Sequence, residues 1–560
     1  MTVVFDTREI ITTLPVPVLG SVPSVNVKTR VNPPARTVFY VGPTNSGKTY
    51  SALQSLYAAY EQNPSGLYVY AGPLRMLAYE VYEKMVERFG VENVGFITGE
   101  DQVNPKASLL ACTVEMAPKK GDMLVLDETH WIVDPDRGHN WTELLHGGEY
   151  SQFAVVTAEE ALEGVTRLLD DSLETDLVTA TRKTPLHFKG YLDVYNIPDR
   201  TAVVCFSRKT VYAVAHLLEA AGKKVGVLYG ALPLKAREAQ IQKYLEGEYQ
   251  VMVTTDVIGH GINLPIDNVV FVQSEKFDGT QKRDLMTWEI AQIAGRAGRY
   301  RISEEGSVSV LTGREWFTQN DQLLHDGVKA GAGVHATDLK VDGAYTRPHL
   351  TDLNITDPNQ ILTALNLWQE QVTSVYPDRR ILPSPLKDMK RLLYAASDHL
   401  NAPLYPDEAG EWCLPLQDVW NVISGPFDPT SNTIPVLLNW LRTPDRHTSH
   451  VLETYFLTQT LVLDQPVLDE KNIQGDQLAP LEKAAQVVGE LKIINLIFGS
   501  TGTLWYSELV EFEERLSEAI KNTLHHLISR GVYGECTKCH SSCSPWFRYC
   551  EECYWDQRKK

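Results

Sequence analysis

The sequence of 560 residues has no run of 18 or more apolar residues and no excess of basic residues. The first absence argues against a membrane-spanning helix, which needs about 20 consecutive apolar residues. The second argues against a diffusely cationic surface, because the formal net charge is −19, although a local basic channel is compatible with an acidic chain. Internal repeats and low-complexity segments are also absent. These absences favour a large globular protein with several domains.

The N-terminal sequence lacks the features of a targeting peptide. It begins MTVVFDTRE, with no basic stretch leading into an apolar core, so no secretory signal is expected. A transit peptide would be rich in arginine and poor in acidic residues, whereas Asp6 and Glu9 accompany a single arginine here. We therefore predict a cytoplasmic location.

Cysteine is scarce, and its eight residues are unevenly distributed. Cys112, Cys205 and Cys413 stand in apolar sequence, where isolated cysteines act as small core residues. The other five lie between residues 536 and 553. Two Cys-x-x-Cys pairs separated by ten residues, Cys536 with Cys539 and Cys550 with Cys553, can converge on one tetrahedral Zn²⁺.

This cysteine cluster predicts a small zinc-binding module at residues 531–560, because disulfides are disfavoured in a cytosolic chain. His540 or Cys543 could replace one of the four ligands, and the sequence leaves that choice open. The aromatic and basic residues around the cysteines could stack on bases and hold phosphates. They could equally cover the zinc site of a module that docks a protein partner.

The most informative motif is a phosphate-binding loop, GPTNSGKT, which follows the apolar run TVFYV and precedes a helical pattern. Its glycines allow backbone N–H groups to close around a triphosphate at the positive end of the helix. Lys48 would reach the β and γ phosphates, and Thr49 would bind Mg²⁺. The predicted ATP-binding residues are Gly42, Thr44, Asn45, Ser46, Gly47, Lys48 and Thr49.

Short apolar runs alternate with helical patterns twice along the chain. This alternation is typical of parallel sheets covered by helices, so we predict an α/β fold with two tandem RecA-like lobes. A mostly α-helical region follows, in which proline-rich breaks interrupt helical spacing. The predicted divisions are an N-terminal extension at 1–36, lobe 1 at 37–182, lobe 2 at 183–325, the helical region at 326–530 and the zinc module.

An acidic pair follows the apolar run MLVL in the first lobe. Asp127 at the end of a strand can hold the Mg²⁺ shell, and Glu128 can orient and deprotonate the attacking water. In the second lobe the segment QIAGRAGR contains Arg296 and Arg299, three residues apart, which we predict to share one helix face. Guanidinium groups stabilise charge on a transferring phosphoryl group, so an ATP site between two lobes is expected.

Nine segments in this order resemble the superfamily-two DExH helicases, most closely the Suv-three type. They are VGPTNSGKTY (41–50), AGPLRMLAYEV (71–81), ITGE (97–100), ACTVEM (111–116), DETH (127–130), CFSR (205–208), YGALP (229–233), TDVIGHGINL (255–264) and QIAGRAGRY (292–300).

The resemblance implies an ATP-driven RNA helicase that loads on a 3′ single-stranded tail, moves 3′ to 5′ and assists RNA degradation. It implies that Asp256, Gly261 and Gln292 lie near the nucleotide, with Gln292 in the catalytic set. It further implies that a set of residues contacts the phosphates of one nucleic-acid strand. Such contacts bind the strand without recognising its bases. The residues concerned are Pro73, Arg75, Thr98, Gly99, Thr113, Ser207, Arg208 and Thr254, although the hydroxyls among them could instead cap helices or turns.

Three features depart from the family pattern. His130 stands where close relatives are expected to have glutamine, Thr157-Ala158-Glu159 matches the usual Ser-Ala-Thr segment poorly, and the cysteine cluster is an addition. The leading hypothesis is a helicase that uses ATP, Mg²⁺ and Zn²⁺, binds single-stranded nucleic acid with an adjoining duplex, RNA rather than DNA, and has a nuclease or other protein partner. The alternatives are a DNA helicase or translocase, and a nucleic-acid-binding scaffold with a vestigial ATP site.

Overall fold

Two parallel β-sheets occupy the N-terminal part of the chain, and helices follow them. The structure is a computed structural model. It describes residues 24–27, 36–99, 101–169, 175–230, 232–260, 264–277, 281–298, 303–312, 320–334, 337–356, 358–400, 414–442, 451–464, 478–498, 503–530, 534–535 and 542–543.

The first sheet has eight strands in the order β4-β3-β5-β2-β6-β7-β1-β8. All neighbouring pairs are parallel except β3 with β4. The strands are β1 (Arg36–Val41), β2 (Tyr68–Gly72), β3 (Val94–Ile97), β4 (Gln102–Val103), β5 (Leu109–Thr113), β6 (Lys120–Leu126), β7 (Glu149–Thr157) and β8 (Thr175–Thr179).

Helices cover this sheet, and the central strands are buried accordingly. Every residue of β2, β3 and β5 is buried, which explains why these strands read as continuous apolar runs and not as alternating ones. The helices are α1 (Lys48–Gln62), α2 (Arg75–Phe89), α3 (Gly138–Gly147) and α4 (Leu162–Thr166).

The second sheet has six parallel strands in the order β11-β12-β10-β13-β16-β9. Its strands are β9 (Leu186–Leu192), β10 (Thr201–Val204), β11 (Val225–Leu228), β12 (Val251–Thr254), β13 (Asn268–Phe271) and β16 (Gly306–Leu311). A separate antiparallel hairpin consists of β14 (Glu275–Phe277) and β15 (Lys282–Asp284). The helices of this lobe are α5 (Arg208–Ala220), α6 (Leu234–Leu245), α7 (Thr287–Ala294) and α8 (Asp321–Gly331).

The chain crosses between the two sheets over residues 180–185, between the end of β8 and the start of β9. Each of these strands lies at an edge of its own sheet. The linker begins next to the phosphate-binding loop. The Ala180 N–H donates over 2.7 Å to the carbonyl of Val41, the residue before that loop. The crossing between lobes therefore passes directly beside the predicted ATP site.

Helices dominate the chain after the second sheet. They are α9 (Leu350–Leu353), α10 (Ile361–Val375), α11 (Lys387–Leu400), α12 (Leu416–Ser424), α13 (Thr433–Leu441), α14 (Val451–Asp464), α15 (Leu478–Phe498) and α16 (Thr503–Arg530). Short strands β17 (Ala344–Thr346) and β18 (Ile381–Pro383) pair in parallel. Aromatic residues anchor this region, including Phe456, whose ring meets Phe512 edge to face at 5.1 Å.

The last helix returns to the second lobe, where His216 Nδ1 lies 3.0 Å from the Ile528 carbonyl oxygen. The prediction of two RecA-like lobes followed by a largely helical region is confirmed. Beyond α16 the structure describes only the antiparallel pair β19 (Gly534–Glu535) and β20 (Ser542–Cys543). The predicted zinc ligands Cys536, Cys539, Cys550 and Cys553 lie outside the described residues.

Within the described ranges, no helix is both long enough and apolar enough to cross a membrane. The same ranges contain no group of three or more histidine, cysteine or acidic residues that could hold a metal ion. Cys112 and Cys205 are fully buried, as expected of core residues, and burial raises the pKa of both thiols.

Candidate active site and nucleic-acid interface

The phosphate-binding loop connects β1 to α1, as the sequence predicts. Lys48 is the first residue of α1 and is buried, and its Nζ donates to the Gly42 carbonyl over 2.9 Å. A Cβ on Gly42 would lie 2.2 Å from the Ala180 carbonyl oxygen and 2.9 Å from Ser46 Oγ. Only glycine fits there, so the loop closes tightly enough for its backbone N–H groups to surround a phosphate.

Asp127 follows β6 and is held by several donors. Its carboxylate accepts from Tyr70 Oη at 2.8 Å, from the Glu128 N–H at 2.9 Å and from Thr49 Oγ1 at 3.3 Å. Burial, with the neighbouring Glu128 charge, raises the pKa of Asp127 to about 6, against the opposing effects of Tyr70 and Lys48. The two predicted Mg²⁺ ligands, Thr49 and Asp127, are thus in direct contact.

A hydrogen bond crosses between the lobes at His130. Gln292 Nε2 on α7 lies 2.8 Å from His130 Nε2. With the amide nitrogen donating, a neutral His130 carries its proton on Nδ1, which lies 3.4 Å from Glu128 Oε2. Glu128 itself has a left-handed backbone, with φ of 47°. The predicted base is therefore linked through His130 to the second lobe.

Arg296 lies close to this chain of contacts but not on a helix. α7 ends at Ala294 and Gly295 caps it, so the prediction that Arg296 and Arg299 share a helix face is wrong. The first lobe approaches the helix end closely: a Cβ on Gly295 would lie 2.6 Å from Thr44 Cβ. Arg299 lies outside the described residues.

The Arg296 side chain is held by a bond within the second lobe. Its Nη2 donates to the Gly259 carbonyl over 2.6 Å, and its buried Nε has no partner among the described residues. Burial lowers the pKa of this guanidinium, while the charges of Glu128, Glu80 and Asp127 oppose that shift. A partly buried cation within electrostatic reach of the predicted catalytic carboxylates is suited to an additional anionic partner.

A cavity of about 350 Å³ lies between the lobes. Residues of both lobes line it, including Lys48, Glu128, His130 and Gln292. The donor set fits a magnesium nucleotide: Thr49 and Asp127 supply oxygen ligands of the kind that Mg²⁺ takes, and Lys48 and Arg296 supply one cation from each lobe. Phosphoryl transfer depends mainly on this kind of positioning and charge stabilisation.

Asp256 does not line this cavity. It lies in an adjoining cavity of about 520 Å³ that shares His130 and Gln292, and Lys276 Nζ is 3.5 Å from its carboxylate. Lys276 belongs to β14, so Asp256 connects the hairpin to the nucleotide side of the lobe. Gly261, the other residue assigned here by resemblance, lies outside the described residues.

A larger cavity of about 860 Å³ lies between the lobes and the helical region. Arg75 of the first lobe and Arg208 of the second both line it, opposite Lys483, Gln486 and Glu490 of α15. Both arginines are paired with acids: Arg75 with Asp101, and Arg208 with Glu482 of α15. The Tyr229 hydroxyl also donates to Glu482, over 2.5 Å.

Two of the predicted hydroxyl contacts have structural roles. Ser207 caps α5 by accepting from the Thr210 N–H, and the buried Thr98 Oγ1 accepts from the Asp101 N–H over 3.1 Å. The Pro73 carbonyl accepts from Arg137. Thr113 and Thr254 are buried at strand ends, whereas Gly99 faces open space. The phosphate-contact set therefore remains a prediction.

Two residues in contact with these sites were missed from the sequence. Arg182 of the linker donates to carbonyls in both ATP-site loops, and Glu482 of α15 pairs with Arg208. Neither belongs to a recognisable motif. The only signal was the position of Arg182 at the boundary between the two α/β patterns, and nothing marked Glu482.

The lobes match two protein-family models. Residues 27–180 match "DEXQ-box helicase domain of Suv3", and residues 188–301 match "Helicase conserved C-terminal domain". The first lobe is thus similar to the helicase domain of Suv3, and the second to the helicase C-terminal domain. This confirms the family resemblance drawn from the nine segments. The family model is named for glutamine at the fourth motif position, where this chain has His130, which is bonded to Gln292 of the second lobe.

Curated relatives match part of this chain. An ATP-dependent RNA helicase SUV3 of Candida albicans is 36% identical over 52% of this chain and 41% of its own length. SUPV3L1 of Gallus gallus is 33% identical over 58% of this chain and 42% of its own, and DExH16 of Arabidopsis thaliana is 37% identical over 53% and 52%. Matched regions thus span about half the length of these relatives.

A solved structure, S. cerevisiae Dbp5 bound to RNA and ADP BeF3, is 17% identical, with a TM-score of 0.42 over 55% of this chain and 85% of that one.

All three curated relatives are named as mitochondrial proteins. The prediction of a cytoplasmic location is therefore wrong. It was drawn from the charge of the first few residues, and composition near a terminus is a weak guide to a compartment.

Proposed function

We propose that this protein is an ATP-dependent RNA helicase that moves 3′ to 5′ along a single strand and unwinds an adjoining duplex. One observation carries the proposal: Lys48 and Glu128 on one lobe face Gln292 on the other across a cavity, and Arg296 lies within electrostatic reach of Glu128 and Asp127. Hydrolysis in such a cleft changes the contacts between lobes, which is the simplest way to convert chemistry into movement. The names of the curated relatives support RNA as the substrate.

In this proposal each lobe contributes a distinct part of the chemistry. Glu128 orients and deprotonates the attacking water, and its contact with His130 ties its position to Gln292. Lys48 and Arg296, one from each lobe, stabilise charge on the transferred group. Mg²⁺, held by Thr49 and Asp127, would supply further charge neutralisation at the phosphates.

We assign roles to the residues predicted from the sequence as part of the same proposal. The catalytic set is Lys48, Asp127, Glu128, Gln292, Arg296 and Arg299. The nucleotide set is the loop of Gly42, Thr44, Asn45, Ser46, Gly47, Lys48 and Thr49, with Asp256 and Gly261. The strand-binding set is Pro73, Arg75, Thr98, Gly99, Thr113, Ser207, Arg208 and Thr254.

The cavity beneath α15 supports the assignment of a strand path. It is open to both lobes, and Arg75 and Arg208 each lie at its wall. Arginine side chains and backbone groups bind phosphates without sequence preference. We therefore propose that the single strand runs between the lobes and α15, with the helical region closing over it.

Three further proposals concern the domain divisions, the zinc site and the cellular location. The domain divisions are those given from the sequence, 1–36, 37–182, 183–325, 326–530 and 531–560. Cys536, Cys539, Cys550 and Cys553 bind one Zn²⁺, and the module around them contacts nucleic acid or a protein partner such as a nuclease. The names of the relatives favour action in the mitochondrion, which fractionation of cells expressing the tagged full chain would test.

The deciding experiment measures ATP hydrolysis and strand separation on matched duplexes of RNA and of DNA, each carrying a 3′ or a 5′ single-stranded tail. We expect hydrolysis to rise with single-stranded RNA and unwinding to require the 3′ tail. Salt must be fixed throughout because phosphate contacts make binding salt-dependent. Equal activity on DNA would replace RNA with DNA as the substrate, and no stimulation by either polymer would contradict the helicase assignment.

A further inference from the structure

The linker between the lobes contains a partly buried arginine that no motif accounts for. Arg182 lies in the crossing from β8 to β9, between the phosphate-binding loop and the turn after α7. Both of these loops belong to the proposed ATP site. A side chain at this point can therefore fix the position of one loop relative to the other.

Every hydrogen bond of Arg182 in the described structure goes to a backbone carbonyl. Nη1 donates to the carbonyls of Thr44, at 3.1 Å, and Gly295, at 2.9 Å. Nη2 donates to the Ala297 carbonyl, and Nε donates to Thr184 of the linker at 2.8 Å. The planar guanidinium thus joins three segments of the chain at once, which its rigid fork of donors permits and a lysine does not.

The carbonyls that Arg182 holds determine where catalytic groups point. In a trans peptide the C=O and the following N–H point in opposite directions, so holding the Thr44 carbonyl directs the Asn45 N–H away from Arg182. Gly295 and Ala297 are the two neighbours of Arg296, so Arg182 fixes the backbone on both sides of that residue. One cation therefore sets the distance between the lysine-bearing loop and the arginine-bearing turn.

A second contact joins the same two loops independently. Asn45 Nδ2 donates to the Gly298 carbonyl over 2.8 Å. Burial lowers the pKa of Arg182 to about 10, which still leaves it protonated at neutral pH. Because no carboxylate bonds to it in the described structure, its charge is satisfied only while both loops present their carbonyls.

We propose that Arg182 is a positioning residue for ATP hydrolysis, which aligns the phosphate-binding loop with the turn that carries Arg296. This inference rests on the proposed function for the identity of the site but concerns basal hydrolysis, without nucleic acid. Arg182 itself touches neither reacting group; it acts through the two loops.

The test compares Arg182→Lys with Arg167→Lys in the full chain. Arg167 also donates to a carbonyl from another part of the chain, that of Val341 at 3.2 Å, but lies away from the ATP cavity. Lysine at 182 keeps the charge and loses the fork. Misplacement of catalytic groups by about 1 Å can cost about 100-fold, so we expect basal kcat to fall about 10-fold to 100-fold. The affinity for ADP should fall less than about fivefold, since Lys48 and the loop remain.

Retained ADP affinity with a reduced kcat supports the proposal, provided that Arg167→Lys stays near the wild type in both. A kcat within about twofold of the wild type overturns it, as does an equal fall in kcat and ADP affinity, which a merely structural role would give. If RNA fails to stimulate the wild type, the proposed function fails while this comparison of basal rates still stands.

A second measurement leaves Arg182 in place and decides the matter if Arg182→Lys does not fold. Hydrogen exchange is followed with and without ADP in Asn45→Ala, which lacks the other contact between the two loops, in peptides covering 42–49 and 286–298. ADP is expected to contact the phosphate-binding loop, so coupling through Arg182 predicts slower exchange in both peptides. Slower exchange in the first peptide alone overturns the proposal.

Discussion

Replacing Glu482 with glutamine should strengthen binding of single-stranded RNA. In the structure this carboxylate of α15 pairs with Arg208, at the wall of the cavity where we propose the strand to run. A phosphate that approaches Arg208 must therefore displace Glu482. Glutamine keeps the size of the side chain and can still accept from the Tyr229 hydroxyl, but it no longer neutralises the guanidinium.

The size of the effect follows from the exposure of the pair. The side chains of Arg208 and Glu482 are 32% and 10% exposed, so their interaction lies between a surface ion pair, worth about 0–1 kcal/mol, and a fully buried one. Because solvent near Arg208 screens part of the attraction between the two side chains, we take about 1 kcal/mol for the free energy of their interaction. That corresponds to a Kd about fivefold lower in Glu482→Gln. One additional phosphate contact should steepen the salt dependence, log K against log salt, by about 0.7.

The assay is fluorescence anisotropy of a labelled RNA single strand without nucleotide, at several salt concentrations. Glu490→Gln is the matched control: Glu490 lies on the same helix and lines the same cavity, but its carboxylate accepts from the neutral Ser431 and Gln486. Equal strengthening in both variants would show a general effect of net charge. An unchanged Kd in Glu482→Gln would refute the competition between Glu482 and phosphate at Arg208.

Three other predictions concern the remaining sites. Glu128→Gln should bind ATP as the wild type does but lose turnover, because the water loses its base; unchanged turnover, measured by phosphate release, would remove Glu128 from that role. ATPase kcat/KM should fall with pH below about 6, where Asp127 becomes protonated. Because its pKa is raised in the folded state, protonation there favours folding, so thermal unfolding monitored in parallel should show no loss of stability from this group, and the rate loss should reverse on returning to neutral pH. Replacing Cys550 and Cys553 together with serine should abolish stoichiometric zinc, measured by elemental analysis; retained metal would exclude the proposed ligand set.

Much of the ATP site could be read from the sequence because its residues obey local rules. Lys48 begins a helix after a glycine turn, and Asp127 follows an apolar strand, so their positions depend on short-range patterns. The two lobes followed from repeated alternation of strands and helices for the same reason. Sequence patterns over a few residues were sufficient to predict the position of a side chain wherever its neighbours in the chain determine the local backbone.

The failures have a common physical origin in tertiary contacts. The helix was predicted to continue through Arg296, whereas it ends at Ala294, and the next residue, Gly295, lies close to Thr44 of the first lobe. Arg182 and Glu482 acquire partners only when distant segments of the chain meet. No local sequence pattern indicates an arginine that donates to carbonyls of several segments.

The linker between β8 and β9 also limits how the two lobes can separate. Only residues 180–185 connect these edge strands, and a chain of that length, fully extended, spans roughly 25 Å. The two halves of the ATP site are thus tethered, and each is present at a high effective concentration near the other. Reassembly of the site after each opening is then an intramolecular event, whose rate does not depend on how dilute the protein is.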